Sequence, residues 1–304
     1  MWNAYQKGYK GWLQLERSLA DNSVEAYLHD VDLFATYASM HLKGIPLKDI
    51  TLQHLQEFLQ SLSGEALGPR SQARIISGLR SFFKYCLIEN IIEQNPTTLL
   101  TTPKLPQKLP DVLSLEEIES MLSKIDMSKK DGHRNRSIIE TMYGCGLRVS
   151  ELVNLRISNL FFEEGFIKVT GKGDKERLIP IGNSAIKEMN LYLQNQRNQQ
   201  HIIAGEEDIV YLNLRGKRLS RVYIFTLIKS LAALAGIRKN ISPHTFRHSF
   251  ASHLVDGGAD LRAVQEMLGH ESITTTEIYT HLDKPYLRET VLLYHPAYKK
   301  RQEL

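Results

Sequence analysis

The sequence predicts a mainly α-helical protein of two domains with one small β-hairpin. Its length of 304 residues exceeds what one hydrophobic core usually serves. Pro103, Pro106 and Pro110 interrupt the chain within a short segment, and such a run favours an extended linker. Apolar residues recur at helical spacing on both sides of it, and only one place combines β-prone runs with a turn. We therefore expect a helical N-terminal domain over residues 1–102, a linker over 103–111, and an α+β domain over 112–304.

Composition is that of an ordinary folded chain, with 42% hydrophobic and 24% charged residues. No stretch approaches the roughly 18 apolar residues of a membrane helix, and the first residues lack the apolar segment of a signal peptide. We therefore expect a cytoplasmic protein without membrane contact. Cys86 and Cys145 lack the paired spacing of zinc or redox sites and are predicted to be buried. The net charge of +4 is compatible with nucleic-acid binding but does not by itself indicate it.

The N-terminal domain is predicted to consist of helices. Asn22 or Ser23 can cap a helix whose apolar positions include Tyr27, Val31 and Phe34. Further helices are predicted over residues 52–62 and 70–90. The last has an apolar stripe made of Ile75, Ile76, Leu79, Phe82, Phe83 and Leu87. Its opposite side carries Arg70, Arg74, Ser77, Ser81 and Lys84. Taken alone, this polar side is best interpreted as a solvated charged face.

The second domain opens with a capping box, because Ser114 is followed three residues later by Glu117. Farther along, residues 166–170 and 177–181 are β-prone runs joined by a turn rich in glycine. They predict a hairpin with Lys172 at its tip. A phosphate-binding P-loop is excluded there, because Lys172 is followed by Gly173 and not by serine or threonine.

A helix is predicted to begin at Ser242-Pro243, with His244 and Arg247 three residues apart on one face. A zinc-protease motif is excluded, because the residue after His244 is not a glutamate. For this pair alone, a surface salt-bridge face is the simpler interpretation.

Two further segments place polar residues at helix ends. Asp260 can cap a helix that stops at Gly269, with His270 just beyond it and Tyr279 nine residues later. Upstream, Gly146 ends a helix, and Ser150 can cap the next one, which would begin at Glu151. Arg148 would then lie beside a helix N-terminus, which favours an anion. Singly, each histidine or tyrosine is more often a core residue, and only the whole set indicates a site.

The order Arg, Lys, His-x-x-Arg, His, Tyr resembles the tyrosine recombinase (phage integrase-like) family, and the resemblance covers nearly the whole chain. It rests on the segments 146–152, 171–177, 243–248 and 268–270, followed by Tyr279. The N-terminal half matches more loosely. The total length, the short linker and His295-Pro296 resemble the Xer type of site-specific recombinase.

This resemblance implies a helical core-binding (SAM-like) domain followed by an α+β catalytic domain. It implies that Tyr279 forms a 3′-phosphotyrosine while Arg148 and Arg247 clamp the phosphate oxygens. His244 and His270 would orient those oxygens, Lys172 would protonate the leaving 5′ oxygen, and Glu151 would support Arg148 or His270. No cofactor or metal is expected. With these residues present, the polar side formed by Arg70, Arg74, Ser77, Ser81 and Lys84 is better interpreted as a DNA-binding face.

The resemblance also implies partners: double-stranded DNA with inverted half-sites, and a homo- or hetero-tetramer on two sites. A second Xer-type recombinase and a septal DNA translocase belong to the same expectation. After Tyr279, a helix starting at Pro285 with apolar Leu287, Val291, Leu292 and Tyr294 is expected to dock in a neighbouring protomer. Packing on its own domain is the alternative.

The expected role is resolution of chromosome or plasmid dimers. A mobile-element integrase or invertase, a type IB topoisomerase-like enzyme and a non-catalytic DNA-binding protein stay open as alternatives. The sequence does not identify the DNA target.

Overall fold

Two units, Met1–Lys108 and Leu109–Leu304, make up the computed structural model of this chain. The boundary between them falls inside the predicted linker. The structure describes residues 2–17, 19–42, 44–63, 67–103, 111–171, 174–269 and 284–299. Among these residues, no helix is both long enough and apolar enough to span a bilayer.

The first unit is helical, as predicted. Its helices are α1 (Trp2–Leu15), α2 (Asp21–His41), α3 (Leu52–Ser63) and α4 (Pro69–Ile88), with a 3₁₀ turn at Leu47–Asp49. Aromatic side chains from all four helices fill the core, including Tyr9, Phe34, Phe58, Phe82 and Phe83. Edge-to-face contacts such as that between Phe34 and Phe58 (ring centroids 5.2 Å apart) join the helices.

Two details of the first unit differ from the sequence-based expectation. Helix α2 begins at Asp21, and its N-cap is Ala20, so neither Asn22 nor Ser23 caps it. Leu87, the last member of the predicted apolar stripe of α4, is 39% exposed, and Tyr85 occupies the buried position instead. The apolar stripe itself continues at Cys86, which is three residues beyond Phe83 and fully buried.

The second unit contains most of the helices. They are α5 (Leu115–Ser123), α6 (Gly132–Cys145), α7 (Val149–Val153), α8 (Asn183–Asn195), α9 (Arg221–Leu234), α10 (Pro243–Asp256), α11 (Leu261–Leu268), α12 (Lys284–Tyr294) and α13 (Pro296–Lys299). Helix α6 runs through the core, and every residue from Ser137 to Cys145 along it is buried. It packs against α8 and α10. Both cysteines of the chain are fully buried and free, as predicted.

A three-stranded antiparallel sheet lies between α7 and α8. Its strands β1 (Leu160–Phe161), β2 (Phe166–Thr170) and β3 (Glu176–Pro180) are arranged in that order. The predicted hairpin is formed by β2 and β3, with Val169 opposite Arg177 and Ile167 opposite Ile179. Strand β1 was not predicted, because two residues are too short to show an alternating pattern.

The predicted helix starts at Ser114, Ser242 and Asp260 are confirmed. Ser114 and Glu117 form the capping box: the Ser114 N–H donates to Glu117 Oε2 (2.8 Å), and the Glu117 N–H to Ser114 Oγ (3.3 Å). Ser242 precedes Pro243 at the first turn of α10. Asp260 accepts a hydrogen bond from the Ala263 N–H (3.2 Å) at the start of α11.

The C-terminal segment packs on its own unit. In α12, Leu287 (5% exposed) and Val291 (0%) join a hydrophobic cluster with Phe250 of α10 and Met267 of α11. Within the single chain the structure shows the packing that was named as the alternative, and docking in a neighbouring protomer stays a prediction. The physical reason is that α10 and α11 present an apolar groove that this helix fills.

Candidate active site

Arg148 lies where α6 ends and α7 begins. The chain turns at Gly146, which has a left-handed conformation (φ 58°), and a Cβ there would lie 2.5 Å from the Phe250 ring. Arg148 is then the N-cap of α7, and its backbone N–H donates to Oε2 of Glu151 (2.8 Å). The expectation that Ser150 caps a helix starting at Glu151 is thus wrong, because the Glu151 carboxylate itself caps the backbone N–H. Helix α7 has only five residues, so few peptide dipoles add up along it and its N-terminus is not by itself an anion site.

Glu151 is buried and joins two arginines. Its Oε1 accepts a hydrogen bond from Arg148 Nη1 (2.9 Å), and the Glu151 side chain is only 2% exposed. Burial opposes ionisation of this carboxyl. The hydrogen bonds and charge of Arg177, together with hydrogen bonds from Arg148, outweigh burial and hold the pKa of Glu151 below its ordinary value. Glu151 is therefore a carboxylate at neutral pH.

Arg177 was not predicted as a site residue, yet it makes two hydrogen bonds to the Glu151 carboxylate. Its Nη1 and Nη2 donate to Oε1 (2.8 Å) and Oε2 (2.9 Å) of Glu151, and its Nε donates to the Met267 carbonyl (2.8 Å). One pattern in the sequence indicated its position. Arg177 precedes the buried Ile179 of β3 by two residues, so both side chains lie on the inward face of the strand, where an arginine needs an acidic partner.

Arg247 is almost fully buried, with 8% exposure, on α10. Its Nη1 donates to the Gly146 carbonyl (2.9 Å), and its Nη2 donates to the Leu268 carbonyl. Burial and then the positive charge of Arg148 lower the pKa of Arg247 to about 10, with Glu151 acting in the opposite direction. The guanidinium remains charged at neutral pH, and among the described residues its hydrogen-bond acceptors are backbone carbonyls and not carboxylates.

The end of α11 brings the three arginines together. Successive carbonyl groups of Met267, Leu268 and Gly269 accept hydrogen bonds from Arg177, Arg247 and Arg148 respectively, the last at 3.0 Å. Gly269 ends α11 in a left-handed conformation (φ 64°), as predicted from the sequence. The last carbonyl groups of a helix lack partners within it and form its negative end, so they attract cations.

His244 lies one turn before Arg247, at the start of α10, and is exposed. With Arg247, His248 and Leu268 it lines a cleft of about 420 Å³. The structure therefore brings Arg148, Glu151 and Arg247 into direct proximity and places His244 at the opening of the cleft that contains Arg247. Lys172, His270 and Tyr279, the remaining predicted site residues, lie outside the described residues.

The charges of this site do not balance within the described residues. Arg148, Arg177 and Arg247 lie around the carboxylate of Glu151, and the cleft lining adds one more carboxylate, that of Asp111. An excess of fixed positive charge beside a cleft favours an anion with several oxygen atoms, and arginine forks suit phosphate geometry. Among the described residues, no three His, Cys, Asp or Glu side chains are grouped as ligands for a metal ion.

The predicted DNA-binding face belongs to the first unit. Arg70, Ser77 and Lys84 are exposed on α4, whereas Ser81 is half-buried. Arg74 lies in an ion pair with the fully buried Asp30 of α2 (2.5 Å), although its side chain remains 43% exposed. Burial raises the pKa of Asp30, and the charge of Arg74 opposes that shift. Arg74 is thus anchored at one edge of its guanidinium group.

Comparison with known proteins finds relatives along nearly the whole chain. The phage integrase family matches residues 111–285, and the phage integrase N-terminal SAM-like domain matches residues 7–90. Tyrosine recombinase XerD of Staphylococcus haemolyticus (strain JCSC1435) is 42% identical over 288 residues, 95% of this chain and 97% of that protein. Tyrosine recombinase XerD of Staphylococcus aureus (strain Mu50) is 40% identical over 289 residues, with the same coverage.

Solved structures show the same similarity. The post-cleavage complex of XerH site-specific recombinase with a palindromic difH substrate has a TM-score of 0.71 and 28% identity, over 94% of this chain and 80% of that chain. The pre-cleavage complex with difH has a TM-score of 0.68 and 28% identity, over 95% and 85%. The Tn1549 transposon integrase with circular intermediate DNA, at 19% identity and a TM-score of 0.71 over 99% of each chain, shares the fold.

Proposed function

This chain belongs to the phage integrase family and is a tyrosine-type site-specific recombinase, and from that premise we propose how its residues cut and rejoin DNA. The Tyr279 hydroxyl attacks a DNA phosphorus and loses its proton to solvent, the bond to the 5′ oxygen breaks, and a 3′-phosphotyrosine forms. Arg148 and Arg247 hold the non-bridging oxygens, with His244 and His270 beside them. Lys172 donates the proton that the leaving 5′ oxygen takes up.

The observation that supports this proposal most strongly is the arginine cluster, formed by Arg148, Arg177 and Arg247 at the end of α11. Arg247 is buried among like charges, and burial and the charge of Arg148 lower its pKa to about 10. A phosphodiester placed against Arg148 and Arg247 supplies the missing negative charge. The pentacoordinate transition state carries more negative charge than the ground state, so the cluster stabilises it more strongly. The phosphotyrosine ester conserves the energy of the broken bond, so rejoining requires no nucleotide.

The DNA we propose is a duplex with two inverted half-sites, bound in part through Arg70, Arg74, Ser77, Ser81 and Lys84 of α4. A palindromic substrate is what the post-cleavage XerH complex contains. We propose that four protomers act on two such sites, either as copies of this chain or shared with a second Xer-type recombinase, and that a septal DNA translocase activates them. Resolution of chromosome or plasmid dimers is the proposed role, supported by relatives named XerD along nearly the whole chain.

The nucleophile is tested with Tyr279→Phe. Duplexes selected by binding from a random DNA pool are nicked near the selected site, so that a cleaved strand cannot rejoin. The wild-type protein is expected to give a protein–DNA band on a denaturing gel, and Tyr279→Phe to give none while its DNA affinity is unchanged. Tyr286→Phe, at an exposed tyrosine of α12, is the matched control and should behave as wild type.

Two results would contradict the proposal. A covalent band from Tyr279→Phe would assign another nucleophile. Relaxation of supercoiled DNA that lacks any selected sequence would favour topoisomerase activity over recombination.

A further inference from the structure

We propose that Arg177 is a positioning residue for DNA cleavage: it ties Glu151, and through Glu151 the phosphate-binding Arg148, to strand β3 and to the end of α11. This inference rests on the proposed function, because it assigns Arg148 to the reacting phosphate. Arg177 itself does not touch the substrate in this proposal.

The contacts of Arg177 support an indirect role. Its three side-chain nitrogens each donate to a protein acceptor, two to Glu151 and one to the Met267 carbonyl. Its side chain is 13% exposed, compared with 33% for Arg148. A bidentate pair between guanidinium and carboxylate fixes both the distance and the plane of the two groups. Glu151 is thereby held in the orientation in which Oε1 also accepts from Arg148.

Two glycines enclose the Arg177 side chain. A Cβ at Gly171 would lie 3.4 Å from Arg177 Nη1, and a Cβ at Gly269 would lie 3.2 Å from Arg177 Cδ. Gly171 follows β2, and Gly269 ends α11, so the arginine packs between the hairpin and that helix. Arg177 donates to the Met267 carbonyl, two residues before Gly269, whose carbonyl is an acceptor for Arg148.

Arg177 also supplies much of the charge that Glu151 requires. The described charged groups facing Glu151 are cationic: Arg148 beside it, Arg177 on β3, Arg247 on α10, and Arg156, Lys168 and Arg218 around an adjoining cavity of about 200 Å³. Lys168 and Arg218 already pair with Glu176 (3.2 Å) and Glu206 (2.8 Å). Without Arg177, Glu151 would be a buried carboxyl with Arg148 as its only bonded cation among the described residues, and it would take up a proton more readily.

The test compares Arg177→Gln with Arg218→Gln. Both arginines pair with a glutamate of low exposure in the second unit, but Arg218 holds Glu206, through Nε alone, and not Glu151. Covalent-complex formation is followed on nicked DNA between about pH 5 and 9. We expect Arg177→Gln to cleave about tenfold more slowly than wild type at the alkaline end. Toward acid pH its rate should fall more steeply than that of wild type, by about a further tenfold per pH unit, and this extra loss is its acid limb. Arg218→Gln should keep the wild-type profile.

Two further variants identify the group that titrates. In Glu151→Gln the acid limb caused by Arg177→Gln should disappear, because no carboxyl remains to accept a proton. Arg177→Lys retains the charge and should abolish most of the acid limb, while it remains slower than wild type because lysine cannot form the bidentate contact. An acid limb that persists in the Glu151→Gln background would overturn the proposal, as would an Arg177→Gln profile parallel to that of wild type.

A second measurement does not depend on cleavage. The Arg148 backbone N–H donates to Glu151 Oε2, so hydrogen–deuterium exchange at Arg148 reports whether Glu151 is in place. Exchange there should accelerate in Arg177→Gln and Arg177→Lys but not in Arg218→Gln. Unchanged exchange would refute the positioning role even if the wild-type chain formed no covalent complex. Absence of that complex in wild type would refute the proposed function alone.

Discussion

Backbone carbonyl oxygens supply most of the hydrogen-bond acceptors for Arg148, Arg177 and Arg247. The carbonyls of Gly146, Leu268 and Gly269 accept from Arg247 or Arg148, and no substitution removes a carbonyl. Their positions depend on where the backbone can turn. Both Gly146 and Gly269 have left-handed conformations, which cost other residues energy. The geometry of the site therefore depends on glycines that carry no functional group.

Gly146→Ala is expected to destabilise the second unit by about 2–4 kcal/mol. The substitution combines left-handed strain of about 1 kcal/mol with a Cβ overlapping the Phe250 ring, and overpacking in a core costs about 1–3 kcal/mol. Urea unfolding followed by circular dichroism measures the change in free energy of unfolding.

The control is Gly236→Ala. Gly236 also has a left-handed conformation (φ 71°), one residue beyond the C-cap of α9, but nothing lies within 4 Å of its Cβ position. Gly236→Ala should lower the free energy of unfolding only by the left-handed strain, about 1 kcal/mol. Equal losses at the two positions would show that the Phe250 contact contributes nothing.

At the scale of elements, local chemistry made the second unit's helix starts predictable. Ser114, Ser242 and Asp260 begin helices because each is followed by the backbone or side-chain partner that a cap needs. The start of α7 was missed, because its cap comes from Glu151 inside the helix and not from the preceding serine-type residue. The role of Arg177 depends on a contact between β3 and α7, which sequence spacing does not reveal.

Helix α12 also shows that local sequence predicts an element but not its tertiary contacts. Its amphipathic pattern predicted a helix, but pattern alone cannot say which groove receives the apolar face. In the structure that groove is formed by α10 and α11 of the same unit. Truncation after Asp283 should therefore weaken binding to one half-site as much as binding to a full site, because it exposes the core of the domain.

Leu287→Ala tests the packing of α12 without truncation. Leu287 is 5% exposed, so its loss should cost about 2–5 kcal/mol in free energy of unfolding. Leu293→Ala on the same helix, at a side chain that is 56% exposed, should change it by less than about 0.5 kcal/mol. Chemical denaturation of both variants decides the matter, and similar values for the two would mean that α12 does not pack as described.

For the whole molecule, the buried His295 predicts loss of stability in acid. Burial, and then the charge of His253, lowers the pKa of His295 to about 3. Its ring contacts Tyr143, Phe250 and Tyr298, and neither ring nitrogen has a hydrogen-bond partner among the described residues. A pKa depressed in the folded state favours the neutral form. The stability it contributes is complete above the unfolded value of about 6.5 and falls as pH decreases toward 3.

His295→Phe should therefore flatten the pH dependence of stability. At pH 5 the histidine costs the folded state about 2 kcal/mol relative to pH 7, and phenylalanine, which has a similar ring and no proton to gain, does not. Unfolding free energies at both pH values are compared between variant and wild type. An identical acid loss in the two proteins would show that other groups cause it.

The aromatic core of the first unit has a spectroscopic consequence. Trp2 and Trp12, the only tryptophans of the chain, both belong to α1, where Trp2 packs on Phe34 and Phe82, and Trp12 stacks on Tyr9. The catalytic unit contains only tyrosine and phenylalanine as fluorophores. Indole emission is therefore an internal label for the first unit alone. Its shift toward longer wavelength during denaturation, set beside the ellipticity of the whole chain, would show which of the two units unfolds first without any added dye.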